Sequence, residues 1–190
     1  MKTCYIGDLL MMNQRREFLK KSIILSTGLA VSPYELFAMK IPTDKTIKLY
    51  NIHTHEHLTA TYWSKDHFVK AEMEKINYFL RDFRTGDVQK MDHKLLDQLY
   101  AIQLIRDTNK PFQVISGYRS PKTNAMLRKT TEGVAKNSFH TKAQAIDINL
   151  PGTQLKDLKK LARFLRRGGV GYYPKTGFMH IDTGPIRYWS

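Results

Sequence analysis

The chain has 190 residues and carries 31 Lys or Arg against 17 Asp or Glu, a formal net charge of +14. A hydrophobic content of 42% without internal repetition excludes a disordered chain and a repeat array, and leaves one domain able to bury its own core. So basic a chain calls for an anionic partner; since Lys and Arg are spread along it rather than gathered in one stripe, no nucleic-acid partner is expected, and a polyanionic cell-wall polymer fits.

The first element is a targeting segment. Asn13-Gln-Arg15-Arg16-Glu-Phe18-Leu19-Lys20-Lys21 precedes an uncharged run from Ser22 to Ser32. A charged stretch followed by a short apolar one is the layout of an export signal. The run is shorter than the ~20 residues of a membrane-spanning helix, so no stable span is expected unless the signal is retained. The paired arginines ahead of Phe18 and Leu19 are similar to a twin-arginine leader; the plainer alternative is the basic end of a general secretory signal. Met11 or Met12 reads as the start, and cleavage is expected after Ala38, although Leu36 is large for the −3 position. Residues 1–38 are thus read as the signal and 39–190 as an exported, periplasmic domain. The single cysteine, Cys4, lies upstream of the targeting segment, so the domain has neither disulfides nor thiolate metal ligands.

Within the domain, Ile47–Ile52 alternates as a strand does, and Leu58–Trp63 is placed to pair with it as a hairpin. From His67 to Arg84, Phe68, Ala71, Ile76, Phe79, Leu80 and Phe83 form an apolar stripe at helical spacing. Asp92 reads as the N-cap of a second helix burying Leu95, Leu96, Leu99, Ile102 and Ile105. Phe112–Ser116 reads as a strand, Pro121 opens a helix to about Arg128, and Thr130–Asn137 as a polar loop. Ala143–Leu150 reads as a buried strand cut off by Pro151-Gly152. Leu155–Arg167 is an amphipathic helix closed by Gly168-Gly169. Strands at Val170–Tyr173 and Phe178–Asp182, joined by a Pro-Lys-Thr-Gly turn, finish the domain. The class is α+β, with a small, mainly antiparallel sheet and helices packed around it.

Two segments carry chemistry: Ser138-Phe-His140-Thr-Lys-Ala143-Gln-Ala145-Ile-Asp147 and Phe178-Met-His180-Ile-Asp182. Residues two apart on a strand face the same way, which pairs His180 with Asp182 and Asp147 with Asn149. If their strands are neighbours, Asp147 and His180 meet at one metal, and His140, just before its strand, can bend over it. Two imidazoles and a carboxylate, with the fourth position left to water, make a catalytic zinc site. The plain alternative is a lone carboxylate and two locally bonded histidines, and spacing alone leaves both open. His53-Thr-His55-Glu56-His57 is a rival cluster that could hold zinc or copper; with no supporting carboxylates or carbonyls in view it reads as a solvent-facing strand end. Ser116-Gly-Tyr118-Arg119-Ser120 puts Arg119, a planar donor suited to a carboxylate or oxyanion, between a strand and a helix; taken by itself it reads rather as a surface arginine at a helix start.

Taken in order, Ser-Gly-Tyr-Arg-Ser, then Ser-x-His with Asp seven residues on, then a C-terminal His, the chain resembles the D-Ala-D-Ala carboxypeptidase/endopeptidase zinc family, whose core is shared with the Hedgehog signalling domain. It is most similar to that family's murein endopeptidase K group, through the leader, Phe79-Leu-Arg-Asp-Phe83, Phe112-Gln-Val-Ile-Ser-Gly-Tyr-Arg119, Gly168-Gly-Val-Gly-Tyr-Tyr-Pro174 and Phe178-Met-His-Ile-Asp-Thr-Gly-Pro185. The resemblance implies zinc held by His140, Asp147 and His180, with Arg119 and Ser138 binding substrate. It implies a zinc-dependent endopeptidase cutting the peptide cross-links of peptidoglycan (D-Ala–diaminopimelate or diaminopimelate–diaminopimelate). The alternatives are a carboxypeptidase trimming stem peptides and a zinc-stabilised wall-binding module without catalysis. The sequence departs from the pattern twice. Ala143 stands where glycine is usual, tolerable unless the backbone is left-handed there. Gly177 stands where many relatives have a glutamate as general base; Asp182 is the nearest substitute, its alternative role being a carboxylate that supports a ligand.

Overall fold

A computed structural model describes residues 44–190; the expected export signal lies outside the described residues. The strands are β1 (Lys45–Asn51), β2 (His57–Ser64), β3 (His67–Phe68), β4 (Phe112–Ser116), β5 (Ala145–Asn149), β6 (Gly169–Tyr173), β7 (Phe178–Asp182) and β8 (Arg187–Trp189). The helices are α1 (Lys70–Phe79), α2 (His93–Arg106), α3 (Pro121–Thr130) and α4 (Leu155–Leu165), with a 3-10 turn at Phe139–Lys142. The strands form one sheet in the order β3-β2-β1-β4-β5-β7-β6-β8. Only β1/β4 and β6/β8 run parallel. The class is α+β and mainly antiparallel, as expected, but the sheet is larger than expected.

Alternation along the strands sorts the two faces. Ile146, Ile148, Val170, Met179 and Ile181 join Leu95, Leu96, Leu99 and Ile102 of α2 and Leu158 and Ala162 of α4 in one buried core. Asp147 and His180, one residue out of step, fall on the opposite face. Helix α2 is capped as expected, the Asp92 carboxylate accepting from the Lys94 amide at 3.0 Å. That cap is worth about 1 kcal/mol, whereas each buried aliphatic contributes about 1.5–3 kcal/mol relative to exposure. Packing, not capping, holds α2 in place.

Several boundaries differ from the sequence reading for local reasons, among them the start of β5, which begins at Ala145 rather than Ala143 because Ala143 closes the preceding 3-10 turn. Helix α1 is shorter at both ends. His67 and Phe68 pair with β2, and Phe68 turns its ring edge to Trp63 instead of the core. At the other end, the Leu80 carbonyl accepts from the Tyr118 amide at 2.8 Å. The chain then loops so that Phe83 stacks on His53. Helix α4 ends on Arg166, left-handed at φ 50°, rather than on the following glycines. Gly168 serves another purpose, because a Cβ there would collide with the Asp182 carbonyl. Strand β8 had no sequence signal: three residues after Gly-Pro are too few to show a period.

Candidate active site

One cross-strand row carries the chemistry. Asp147 on β5 lies opposite His180 on β7, His180 opposite Gly171 on β6, and Gly171 beside Trp189 on β8. His140 enters from the 3-10 turn before β5, which Ser138 caps by accepting the His140 amide on its hydroxyl oxygen at 3.3 Å. The turn closes on Ala143, fully buried and left-handed at φ 55°, ψ 31°. This is the position where glycine was expected, and the left-handed region does occur, at a cost of about 1–2 kcal/mol for an L-residue. Gly117 anchors the other side. A Cβ on it would lie 2.6 Å from the Leu80 carbonyl oxygen, so glycine lets the Ser116–Ser120 loop press against the end of α1. The buried Asp82 carboxylate accepts the Ser120 amide at 2.9 Å. The Arg119 amide reaches the His140 carbonyl at 3.2 Å. Thus two motifs far apart in sequence are bolted together.

Both imidazoles have one nitrogen committed outward. His140 Nδ1–H donates to the Gly117 carbonyl at 2.7 Å, and His180 Nε2–H donates to Asp182 Oδ2 at 3.0 Å. Their remaining nitrogens face each other at 3.2 Å. Asp147 closes the group, Oδ1 at 2.9 Å from His180 Nδ1 and Oδ2 at 3.3 Å from His140 Nε2. All three residues are buried. With the outer nitrogens acting as donors, the inward atoms are two imidazole lone pairs and a carboxylate, acceptors with no donor among them. Such a cluster demands a cation. Ligands about 2.0–2.1 Å from a tetrahedral metal stand roughly 3.3 Å apart, close to the spacing present here. The donor set therefore fits a metal ion.

The electrostatics agree. Burial opposes a charge on His180, yet its bonds to Asp147 and Asp182 and their negative charges outweigh it, raising its pKa to about 9. Burial likewise resists ionisation of Asp147, but the charge of His140 and bonds to both histidines hold it well below the usual carboxylate range. Absent a metal, the pocket draws in a proton instead.

Asp182 is fully buried behind His180. Its Oδ1 accepts from the Gly169 and Gly184 amides and Arg187 Nη1 at 2.9–3.0 Å. Oδ2 accepts from His180 and, at 2.7 Å, from Arg187 Nη2. With its acceptor positions filled, and with no place in the cleft wall, Asp182 has the geometry of the second role considered for it, support of a ligand. Gly177 sits in the β6–β7 turn at φ 77°, also off the cleft wall.

The cleft over the row has a volume of about 550 Å³, and Arg119 and Ser138 line it with the three candidate ligands. Arg119 Nη2 is 3.9 Å from Asp147 Oδ2. Its other contacts are long, 3.4 Å each to Asn124 Oδ1 and Ser116 Oγ, and its buried Nε has no partner. Of the residues expected at the site, His140, Asp147, His180, Arg119 and Ser138 line the cleft, whereas Asp182, considered as the base, lies buried behind His180. Sequence reading missed Arg187, Tyr173 and Trp189, whose approach depends on β8 joining β6. The rival histidines disperse: His53 bonds the Ile115 carbonyl, and His55 the Tyr50 hydroxyl, while His57 packs on the Tyr50 ring. Among the described residues, His140, Asp147 and His180 are the group able to hold a metal.

Comparison with known proteins supplies the family. A family model described as peptidoglycan L,D-endopeptidase MepK matches residues 40–189. The peptidoglycan L,D-endopeptidase MepK of Escherichia coli (strain K12) is 43% identical over 166 residues, covering 87% of this chain and 91% of that protein. The probable peptidoglycan L,D-endopeptidase MepK of Haemophilus influenzae is 42% identical over 168 residues, covering 87% and 90%. A match across nearly all described residues, and along most of each relative's length, places the chain in the peptidoglycan L,D-endopeptidase MepK family.

Proposed function

We propose that this chain is a zinc-dependent endopeptidase of the cell envelope that hydrolyses peptide cross-links of peptidoglycan, the L,D-bond between two diaminopimelate residues foremost. One observation carries the reading: three inward-facing acceptor groups from His140, Asp147 and His180 sit in a cleft beside an arginine whose donors are underused. A bound zinc ion supplies Lewis-acid polarisation of the scissile carbonyl and activates water near neutral pH. His140 and His180 would hold it through Nε2 and Nδ1, with the Asp147 carboxylate, and their outer N–H groups fix the tautomers this requires. Asp182 keeps His180 in that tautomer and is itself pinned by Arg187. Arg119 donates to the carbonyl oxygen as negative charge develops there. Ser138 contributes a hydroxyl at the cleft wall for a substrate carboxylate. Stem peptides rich in free carboxylates suit a chain of net charge +14.

Isolated sacculi test this directly. Incubation with the zinc-loaded protein should release smaller, uncross-linked muropeptides, and a chelator should stop it. Trimmed monomers with cross-links intact would indicate a carboxypeptidase, and an unchanged profile a binding module.

The substrate lies outside the cytoplasm, which accords with residues 1–38 as an export signal ahead of a peptidase domain at 39–190. Among the described residues no helix is long and apolar enough to cross a membrane. Export by the twin-arginine route predicts that replacing Arg15 and Arg16 with lysine leaves the protein in the cytoplasm. Undiminished periplasmic delivery of that variant, followed by fractionation, would point to the general secretory route.

A further inference from the structure

We propose that Tyr173 is a further catalytic residue, its hydroxyl acting as a hydrogen-bond donor to the tetrahedral oxyanion alongside Arg119. The inference rests on the endopeptidase reading above and adds a residue to it. Trp189 Nε1–H donates to the Tyr173 hydroxyl oxygen at 2.8 Å. An indole can only donate, so the phenol oxygen is the acceptor in that bond and keeps its own proton for another partner. No acceptor for that proton exists among the described residues, and Tyr173 lines the cleft.

The fold aims this hydroxyl at the ligand row. Tyr173 is two residues beyond Gly171 on β6, hence on the same face as His180 and about 6.6 Å along the strand. A phenol could point away from the row at that distance, but the indole ties it back. Trp189 lies across Gly171, where a Cβ would come within 2.6–2.7 Å of the indole ring atoms. Its ring centroid is 5.3 Å from that of His180. The ring of Tyr173 is fixed by stacking on Phe178 at 4.7 Å. A donor held on two sides costs little reorganisation as charge develops, which is the condition for oxyanion stabilisation. The phenol transfers no proton in this role. It bonds the oxygen as the attacking water adds to the carbonyl carbon and the C=O electron pair moves onto that oxygen. The bond relaxes when the carbonyl re-forms, the C–N bond breaks and the amine leaves with a proton that came from the water.

The test compares wild type, Tyr173→Phe, Trp189→Phe and the double variant on a purified muropeptide dimer containing one diaminopimelate–diaminopimelate bond. Phenylalanine at 173 keeps the stacking ring, so metal content and melting temperature should match wild type. Its kcat should fall about 100-fold with KM within about threefold, the pattern of a contact made in the transition state. Trp189→Phe frees the phenol without removing it and should cost about tenfold. The double variant should be no slower than Tyr173→Phe, because the two residues act through one hydroxyl. A phosphinic analogue of the scissile bond should bind Tyr173→Phe about 100-fold more weakly than wild type. Unchanged kcat in Tyr173→Phe, a loss confined to KM, or additive losses in the double variant would each overturn the inference while leaving the endopeptidase reading intact. Failure of the wild type to cleave the dimer would overturn both.

Discussion

Asp147→Ala and His140→Ala proteins are expected to fold, to purify without metal, and to leave cross-linked muropeptides uncut. Each substitution removes one of the three proposed ligands from a site whose atoms stand 2.9–3.3 Å apart, and among the described residues no other His, Asp or Glu groups with the remaining two. Among cleft residues the other carboxylate is that of Glu132, an exposed residue on the loop after α3. Asp147→Ala should have the larger effect on affinity, because it also removes the charge that attracts the cation. Metal analysis of the purified variants decides the matter: full zinc occupancy in both would sink the ligand assignment. The wild-type site makes a companion prediction about pH. His180 in the metal-free protein holds a proton up to about pH 9, and a metal must displace it. Affinity should therefore rise with pH, by about tenfold per unit, and level off near 9. Proton release on binding, measured calorimetrically in buffers of different ionisation enthalpy, should approach one per domain below that pH and vanish above it.

The legible parts of this molecule are those with a local cause. Phe112–Ser116 was read with the bounds it has, since Pro111 and the alternation of Phe112 and Val114 confine it. Helix α2 was read from its Asp92 cap and its leucine face. The His140–Asp147 spacing was visible because the turn and strand carrying it are contiguous. The stripe that overran α1 misled because Phe68 and Phe83 are apolar for other reasons, a ring contact across β2/β3 and a stack on His53. Nothing local tells a period of 3.6 from such coincidences at a helix end. Gly168-Gly169 signalled a helix stop, yet those glycines make room for Asp182. The layer behind and beside the ligands was hidden for a topological reason. Arg187 reaches Asp182, and Trp189 reaches Tyr173, only because β8 adds parallel to the outer edge of β6. Three residues carry no trace of that choice.

Replacing Arg119 with alanine should leave zinc in place and remove roughly 2–4 kcal/mol of transition-state stabilisation, the scale for loss of one oxyanion donor. At fixed KM this is a kcat loss between about 30- and about 1000-fold. Arg119 is not a ligand, because guanidinium stays protonated and offers no lone pair. Burial works against its charge, but the neighbouring Asp147 carboxylate works for it. Its side chain is only 11% exposed, yet it makes two bonds of 3.4 Å and leaves Nε unpaired. A buried charged donor left so poorly satisfied costs stability in the free protein. On the proposed reading, a substrate oxygen entering the cleft would supply the missing acceptor, and the bond would strengthen as negative charge grows on it. Arg119→Ala should consequently melt no lower than wild type by more than a few degrees, and its loss should appear in kcat rather than KM. Arg119→Lys keeps the charge but not the planar fork, and should recover part of the rate. Steady-state kinetics on a defined muropeptide dimer, with metal content measured on the same samples, distinguish the cases. Near-normal turnover in Arg119→Ala would make this residue a brace for the Ser116–Ser120 loop. Loss of zinc in the same variant would mean that its charge serves the metal site and not the substrate.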